Sequence, residues 1–157
     1  MMKKNIFTLF VLFMSLISCT GKSSQSSSLS SEVEAAILFK SMFPKQVKVP
    51  FSPKEKDVQE YKSFMKEYCE FNVKEESEKE GKREIKGTMT IKDGRYFEAF
   101  VSQILFGQKA EMASAMAKSA LDKVEGAPLK KIAAFHLVFS RNAEGKPEFS
   151  KISVTKK

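Results

Sequence analysis

The chain has 157 residues, of which 42% are apolar and 29% charged, a composition that suits one domain with a packed core and a soluble surface. Its formal net charge is +8, but lysine and glutamate are interleaved, which excludes the clustered basic and aromatic face of a nucleic-acid-binding protein. The lysine excess suits either anionic lipid headgroups or, more simply, a solvated surface.

A short apolar run near the N-terminus has the features of an export leader. Lys3 and Lys4 precede the predominantly apolar residues 6–17. This run is too short for a transmembrane helix, which needs about 20 residues, and fits the apolar region of a signal peptide. It ends in Leu16-Ile17-Ser18-Cys19, without the Ala-x-Ala site of an ordinary secretory leader.

This ending resembles the lipobox of bacterial lipoproteins. The resemblance implies that residues 1–18 are a signal peptide cleaved before Cys19, and that Cys19 carries a thioether-linked diacylglyceryl group. Stable anchoring takes more than one acyl chain, which such processing supplies. We therefore predict a lipid-anchored protein of the cell envelope. Thr20, rather than Asp, follows the cysteine, which favours the outer membrane if the cell has one.

Residues 19–31 form the predicted tether, and residues 32–157 the single folded domain. Between residues 20 and 31 only Leu29 is apolar, and serine predominates, so the segment is predicted to be a flexible linker. It spans at most about 40 Å when extended. The domain should therefore stay close to the bilayer.

Two helices are predicted first. Ser31 and Glu34 have the spacing of a capping box, and residues 33–43 are apolar on most sides, which predicts a largely buried helix that ends at Pro44. Residues 47–51 form an extended connector. A second helix is predicted to open at residues 52–53, with one apolar face formed by Val58, Tyr61, Phe64, Met65 and Tyr68.

The hydrophobic period then changes to two, which predicts two half-buried strands over residues 69–73 and 85–91. Residues 75–82 between them are polar and are predicted to form a hairpin tip. Their acidic run lacks the ligand spacing of a calcium loop.

After residue 93 the helical period returns. Asp93 is a candidate N-cap, although Asp93-Gly94 is also a hairpin-turn sequence, and both alternatives stay open. Gly107 either kinks one long helix or separates it from a second over residues 108–124. Two strands close the chain, over residues 132–139 and 149–155. The first is apolar on both faces and is predicted to be central, with both sides covered.

The element order is helix, helix, strand, strand, helix, strand, strand. It predicts an α+β domain with an antiparallel sheet of about four strands and helices packed on one face. Order and size over residues 31–157 resemble the cystatin-like and nuclear transport factor 2-like superfamily. Many members place a tryptophan in the last hairpin, and this chain has none. The resemblance implies little about activity, because that fold hosts enzymes, inhibitors and binding modules.

Few residues have chemistry of their own. His136, the only histidine, is predicted to lie in the core or at a pocket edge. Once Cys19 is acylated, Cys69 is the remaining thiol, and its strand position favours a buried, inert group over a reactive one. No zinc-ligand cluster, phosphate-binding loop or nucleophile elbow is present. We therefore predict no metal, no cofactor and no catalytic residues.

The leading hypothesis is a non-enzymatic, membrane-tethered accessory module that binds an envelope protein or a small ligand on the open face of its sheet. One alternative is a small hydrolase or isomerase with a pocket near His136. Another is a cystatin-like peptidase inhibitor, which needs exposed hairpin loops shaped as a wedge.

Overall fold

The computed structural model describes residues 29–157 as eight elements. Helices α1 (Ser31–Met42) and α2 (Glu55–Tyr68) come first, followed by strands β1 (Cys69–Lys79) and β2 (Lys82–Ile91). Helices α3 (Gly94–Leu105) and α4 (Ala110–Leu121) lead to strands β3 (Lys131–Arg141) and β4 (Pro147–Lys156). The strands form one antiparallel sheet in the order β1-β2-β3-β4. The predicted α+β class and the predicted sheet are confirmed.

The core lies between the helices and one face of the sheet, here called the inner face. Strand alternation turns Ile85 and Met89 of β2 and Leu137 of β3 inward, where all three are fully buried. Helix α1 supplies a further apolar layer, since six of its twelve residues, among them Ala35 and Ile37, are buried. The predicted capping box is wrong, because the N-cap is Ser30 and its side chain makes no cap hydrogen bond.

An aromatic stack joins α2 to α3. The Phe64 ring lies 4.3 Å from the Phe100 ring and stacks on it, and the Tyr68 and Tyr96 rings stack at 3.7 Å. The Tyr96 hydroxyl is 2.5 Å from the Ser114 hydroxyl of α4. These contacts satisfy a buried phenol and hold α3 and α4 on α2.

The helical alternative after residue 93 is the one observed. The Asp93 side chain accepts a hydrogen bond from the Arg95 amide at 3.0 Å and so caps α3. It also accepts from the Leu129 amide at 3.2 Å and forms an ion pair with the Arg95 guanidinium at 2.8 Å. Gly107, with φ of +85°, lies between α3 and α4 and separates them.

The polar hairpin tip is shorter than predicted. Strand β1 continues through the acidic run to Lys79, so only Glu80 and Gly81 form the turn, both with positive φ. Cross-strand ion pairs hold the extended part together: Glu75 pairs with Lys86, and Glu76 with Arg83. Charged strands pair here because opposite charges face each other across the ladder.

Strand β3 is central, as predicted, but its second face is not covered as predicted. Ala134, His136 and Val138 are half-buried and Ile132 is exposed. The described helices all pack on the inner face, and the opposite, outer face of the sheet is left open within residues 29–157. Apolar residues on both sides of a strand thus indicated a central position but not two covering layers.

Candidate functional site

The outer face brings His136 and a carboxylate together. The imidazole Nε2 of His136 is 2.6 Å from Oε1 of Glu84 on the neighbouring strand β2. In the β2–β3 register Glu84 lies opposite Val138 and Lys86 opposite His136, so the pair is a diagonal contact on one face. The His136 side chain is 27% exposed, which makes it a surface residue rather than the core residue that was one of the predicted alternatives.

A shallow depression of about 280 Å³ adjoins this pair. Its floor is made by short side chains of three strands, among them Thr88, Ala134 and Ser153. The β1 bulge between Val73 and Glu75 gives β1 one residue without a partner in β2, and this residue, Lys74, lies at the rim. The short side chains leave the space, and the strands fix its shape.

Three lysines and one glutamate line the depression: Lys74, Lys86, Lys157 and Glu75. The Lys86 ammonium lies 3.0 Å from a Glu75 carboxylate oxygen and 3.7 Å from one of Glu84. The hydrogen bond to Glu75 raises the pKa of Lys86, and the hydrogen bond from His136 lowers the pKa of Glu84. The charged forms of Lys86 and Glu84 are therefore favoured. Within the described residues Lys74 and Lys157 make no ion pair, which leaves two cations for an anionic group.

Ser153 lies directly opposite His136 in the β3–β4 register and lines the same depression. Directly opposed residues place their Cβ atoms about 5 Å apart. The side-chain hydrogen bonds of residues 29–157 do not join this hydroxyl to the imidazole. Glu84, His136 and Ser153 thus follow one another across three strands, but the serine is not activated by the histidine in this arrangement.

A second, larger cavity of about 680 Å³ runs between α2 and α4. Its wall includes Lys56, Lys109 and Lys118 together with Glu60 and Glu111. The Glu60 carboxylate accepts a hydrogen bond from the Ala110 amide at 2.9 Å and so caps α4 from a different helix. Lys118 pairs with Glu67 at 3.1 Å. Several of its charged groups thus connect the two helices to each other.

The remaining thiol of the described residues is buried. Cys69 is 6% exposed at the start of β1, and burial raises its pKa to about 12. A thiolate is the reactive form, so the prediction of a buried, inert group is confirmed as far as burial is concerned. Cys19 and residues 1–28 lie outside the described residues.

Two features are absent from residues 29–157. No group of three or more His, Cys, Asp or Glu residues there has the arrangement to hold a metal ion. No helix of this part of the chain is both long and apolar enough to span a bilayer.

Sequence reasoning located His136 but missed Glu84. Glu70 on β1 and Glu148 on β4 are further carboxylates of the sheet, but neither is the partner of the imidazole. Glu70 instead pairs with Lys92 at 3.3 Å, and Glu148 lies opposite Ser140, farther along β3. Only the register between β2 and β3, whose paired residues are about 50 positions apart, identifies Glu84.

The chain was compared with protein families, with curated proteins and with solved structures, and none of the three comparisons gave a match.

Proposed function

We propose that this protein is a lipid-anchored envelope module that binds a small anionic ligand on the outer face of its sheet. The observation that carries the proposal is the depression between β1 and β4, with a floor of short side chains and a rim of three lysines, of which only Lys86 is paired with the lining Glu75. A ligand of that size meets the hydroxyls of Thr88, Ser153 and Thr155, and its anionic group meets Lys74 and Lys157. Ligand sites commonly combine such a preformed concavity with a few convergent polar groups.

The anchor belongs to the same proposal and rests on the lipobox-like residues that end at Cys19. In cells labelled with palmitate, we expect the wild-type chain to take up label and to fractionate with membranes. Cys19→Ala should remain unlabelled and unprocessed, because no thiol is left at the lipidation position. Equal labelling of the variant would contradict the anchor without bearing on the ligand site.

The ligand site is tested by filling it. Ser153→Leu adds bulk to the floor of the depression, and Ser63→Leu adds the same bulk to the groove between α2 and α4. We expect small anions that co-purify with the chain from its own membranes to be lost from Ser153→Leu and kept by Ser63→Leu, as measured by native mass spectrometry. The reverse pattern would move the site to the helical groove.

A second candidate function is a hydrolase, favoured by the sequence of contacts from Glu84 to His136 and on to Ser153. In that mechanism Glu84 orients the imidazole, and His136 takes the proton of the Ser153 hydroxyl as its oxygen attacks the carbonyl carbon of an ester or amide. The C–O or C–N bond then breaks, His136 gives the proton to the leaving alcohol or amine, and water hydrolyses the acylated serine. A ligand would have to draw the hydroxyl and the imidazole into hydrogen-bond range, since catalytic contacts often tighten only in the complex.

A serine-reactive fluorophosphonate distinguishes the two functions. The hydrolase predicts labelling of Ser153 that falls about 100-fold or more in His136→Gln. The binding module predicts no labelling above the level of an exposed serine such as Ser119. Labelling of Ser153 that depends on His136 would therefore replace our proposal with the hydrolase.

A further inference from the structure

The hairpin of α3 and α4 exposes large apolar side chains at one end of the molecule. Phe106 is 79% exposed and Leu105 64%, while Met112 and Met116 are about half exposed. Helix α4 packs inward through Ala110, Ala113 and Ala117, which leaves the two methionines, one turn apart, on its outer side. We call Leu105, Phe106 and Met112, which lie where the two helices meet, the apolar tip, and Met116 continues it towards the middle of α4. Single exposed apolar residues are ordinary, but four within one helical hairpin mark an interaction surface.

The apolar tip lies at the end of the domain where the tether enters. Gln59, near the start of α2, lines a groove with Ser31 and Glu32, the first residues of α1. The same Gln59 also lines the cavity that contains Lys109 and Ala110. The start of α1 and the loop between α3 and α4 therefore flank the first turns of α2. Residues 20–30, which precede α1, connect this end to Cys19.

The charged side chains at this end of the domain do not favour a strongly charged binding partner. Lys56, Lys109 and Lys118 line the cavity nearest to the apolar tip together with Glu60 and Glu111. Lys118 is also paired with Glu67, so the two signs balance there once this pair is counted. A strongly charged partner would gain little there. An apolar phase with a polar boundary matches better, because the side chains of the tip enter it while the mixed charges stay in water.

We propose that the apolar tip inserts into the interface of the bilayer that anchors Cys19. The inference rests on the proposed lipid anchor, since a tether that spans at most about 40 Å holds this end of the domain next to the membrane. Both sheet hairpins turn at the same end: Gly145 lines the groove with Ser31, and Arg83 pairs with Phe139. The strands therefore run away from the bilayer, and the outer face of the sheet stays accessible beside it.

The chain contains no tryptophan, so one introduced tryptophan reports on one position. The test uses the full chain, isolated from membranes and reconstituted in phosphatidylcholine vesicles with and without phosphatidylglycerol, some of the lipids carrying brominated acyl chains. Phe106→Trp probes the apolar tip, and Met112→Trp probes it at a second position. Leu129→Trp is the matched control, because Leu129 is 54% exposed next to Asp93, at the opposite end of α3.

We expect the emission of Phe106→Trp and Met112→Trp to shift to shorter wavelength and to lose intensity with brominated lipid, in both vesicle types. Leu129→Trp should show neither change. Emission from both tip variants that stays at the wavelength of water-exposed tryptophan would overturn the proposal. A shift without quenching would also overturn it and would indicate contact with protein instead.

The mass of the peptide that contains Cys19 is measured on the same samples. The absence of the lipid is thereby detected independently of the fluorescence. A chain without lipid is mixed with preformed vesicles and read by the same quenching. Quenching of the tip variants in this mixture would support insertion of the apolar tip even though the chain has no lipid anchor. Absence of quenching would overturn both the insertion and the anchor.

Discussion

The inner and outer faces of the sheet are built from the same strands but have different roles. Leu137 is fully buried against the helices, whereas Val138, the next residue, is half-buried on the open side. The inner face is filled by large apolar side chains such as Met89 and Phe139, and the outer face around Ala134 carries short and charged ones. Stability is therefore concentrated on one side of the sheet, which leaves the other side free to change for binding.

The largest effect is expected from Leu137→Ala. Removing a fully buried leucine side chain costs about 2–5 kcal/mol of unfolding free energy, because transfer and cavity costs add. Val138→Ala is the control on the other face and should cost no more than about 1 kcal/mol. Denaturant unfolding measures both. Equal losses would mean that the outer face is covered in solution.

The reaction rate of the Cys69 thiol provides a second comparison between the inner and outer faces of the sheet. In a Cys19-less chain, a thiol reagent should modify native Cys69 at least about 100-fold more slowly than unfolded chain, because burial raises the thiol pKa and blocks access. Glu70→Cys in a Cys69→Ala background places the thiol on the outer face and should react at nearly the unfolded rate. Fast reaction of native Cys69 would show an exposed thiol.

Asp93 tests how the covering helices are held to the sheet. Asp93→Ala removes the cap of α3 and the acceptor of the Leu129 amide, and should cost about 1–2 kcal/mol. Asp93→Asn keeps a capping oxygen but loses the charge, so its loss should be smaller. Equal losses would assign the effect to the ion pair with Arg95.

The same carboxyl gives a pH dependence of known sign. Hydrogen bonds from Arg95 lower the folded-state pKa of Asp93 to about 2, against about 3.9 for an unfolded chain. The stabilisation is therefore complete above about pH 4 and is lost as the pH falls towards 2. The difference in unfolding free energy between wild type and Asp93→Asn should shrink over that window. A constant difference would contradict the lowered pKa.

The smallest effect on stability is expected from the pair of Glu84 and His136 on the outer face. Glu84→Gln and His136→Gln should each leave the denaturant midpoint almost unchanged, because exposed ion pairs contribute little to stability. A double-mutant cycle measures their coupling, which should weaken in high salt. Strong, salt-independent coupling would indicate that the pair is covered in solution.

Much of the fold followed from periodicity. Alternation over residues 69–73 and 85–91 identified β1 and β2, and of the two alternatives left open at Asp93 the helical one is observed. The extension of β1 to Lys79 was missed, since its pairing comes from cross-strand charges and not from burial. The capping-box spacing predicted a cap at Ser31, whereas the N-cap is Ser30, because a sequence motif fixes a helix start only to within a residue or two.

The candidate site was less predictable. The sequence singled out His136, but its contact with Glu84 depends on a strand register set by the packing of the whole sheet. Apolar residues on both faces of β3 predicted a second covering layer, although half-buried positions such as Ala134 and Val138 also occur on an open face. The depression itself arises from short side chains on strands that are far apart in sequence, and no local motif encodes it.

The central claim, that the outer face of the sheet binds the ligand, is tested most directly by amide chemical-shift mapping with a set of small carboxylates and phosphates and their neutral analogues. We predict that the anionic compounds shift amides around the depression, including Lys74, Thr88, His136 and Ser153, and that their neutral analogues do not. Shifts confined to Gln59, Ser63 and Ala115 in the groove between α2 and α4 would contradict the claim, as would equal shifts from the neutral analogues.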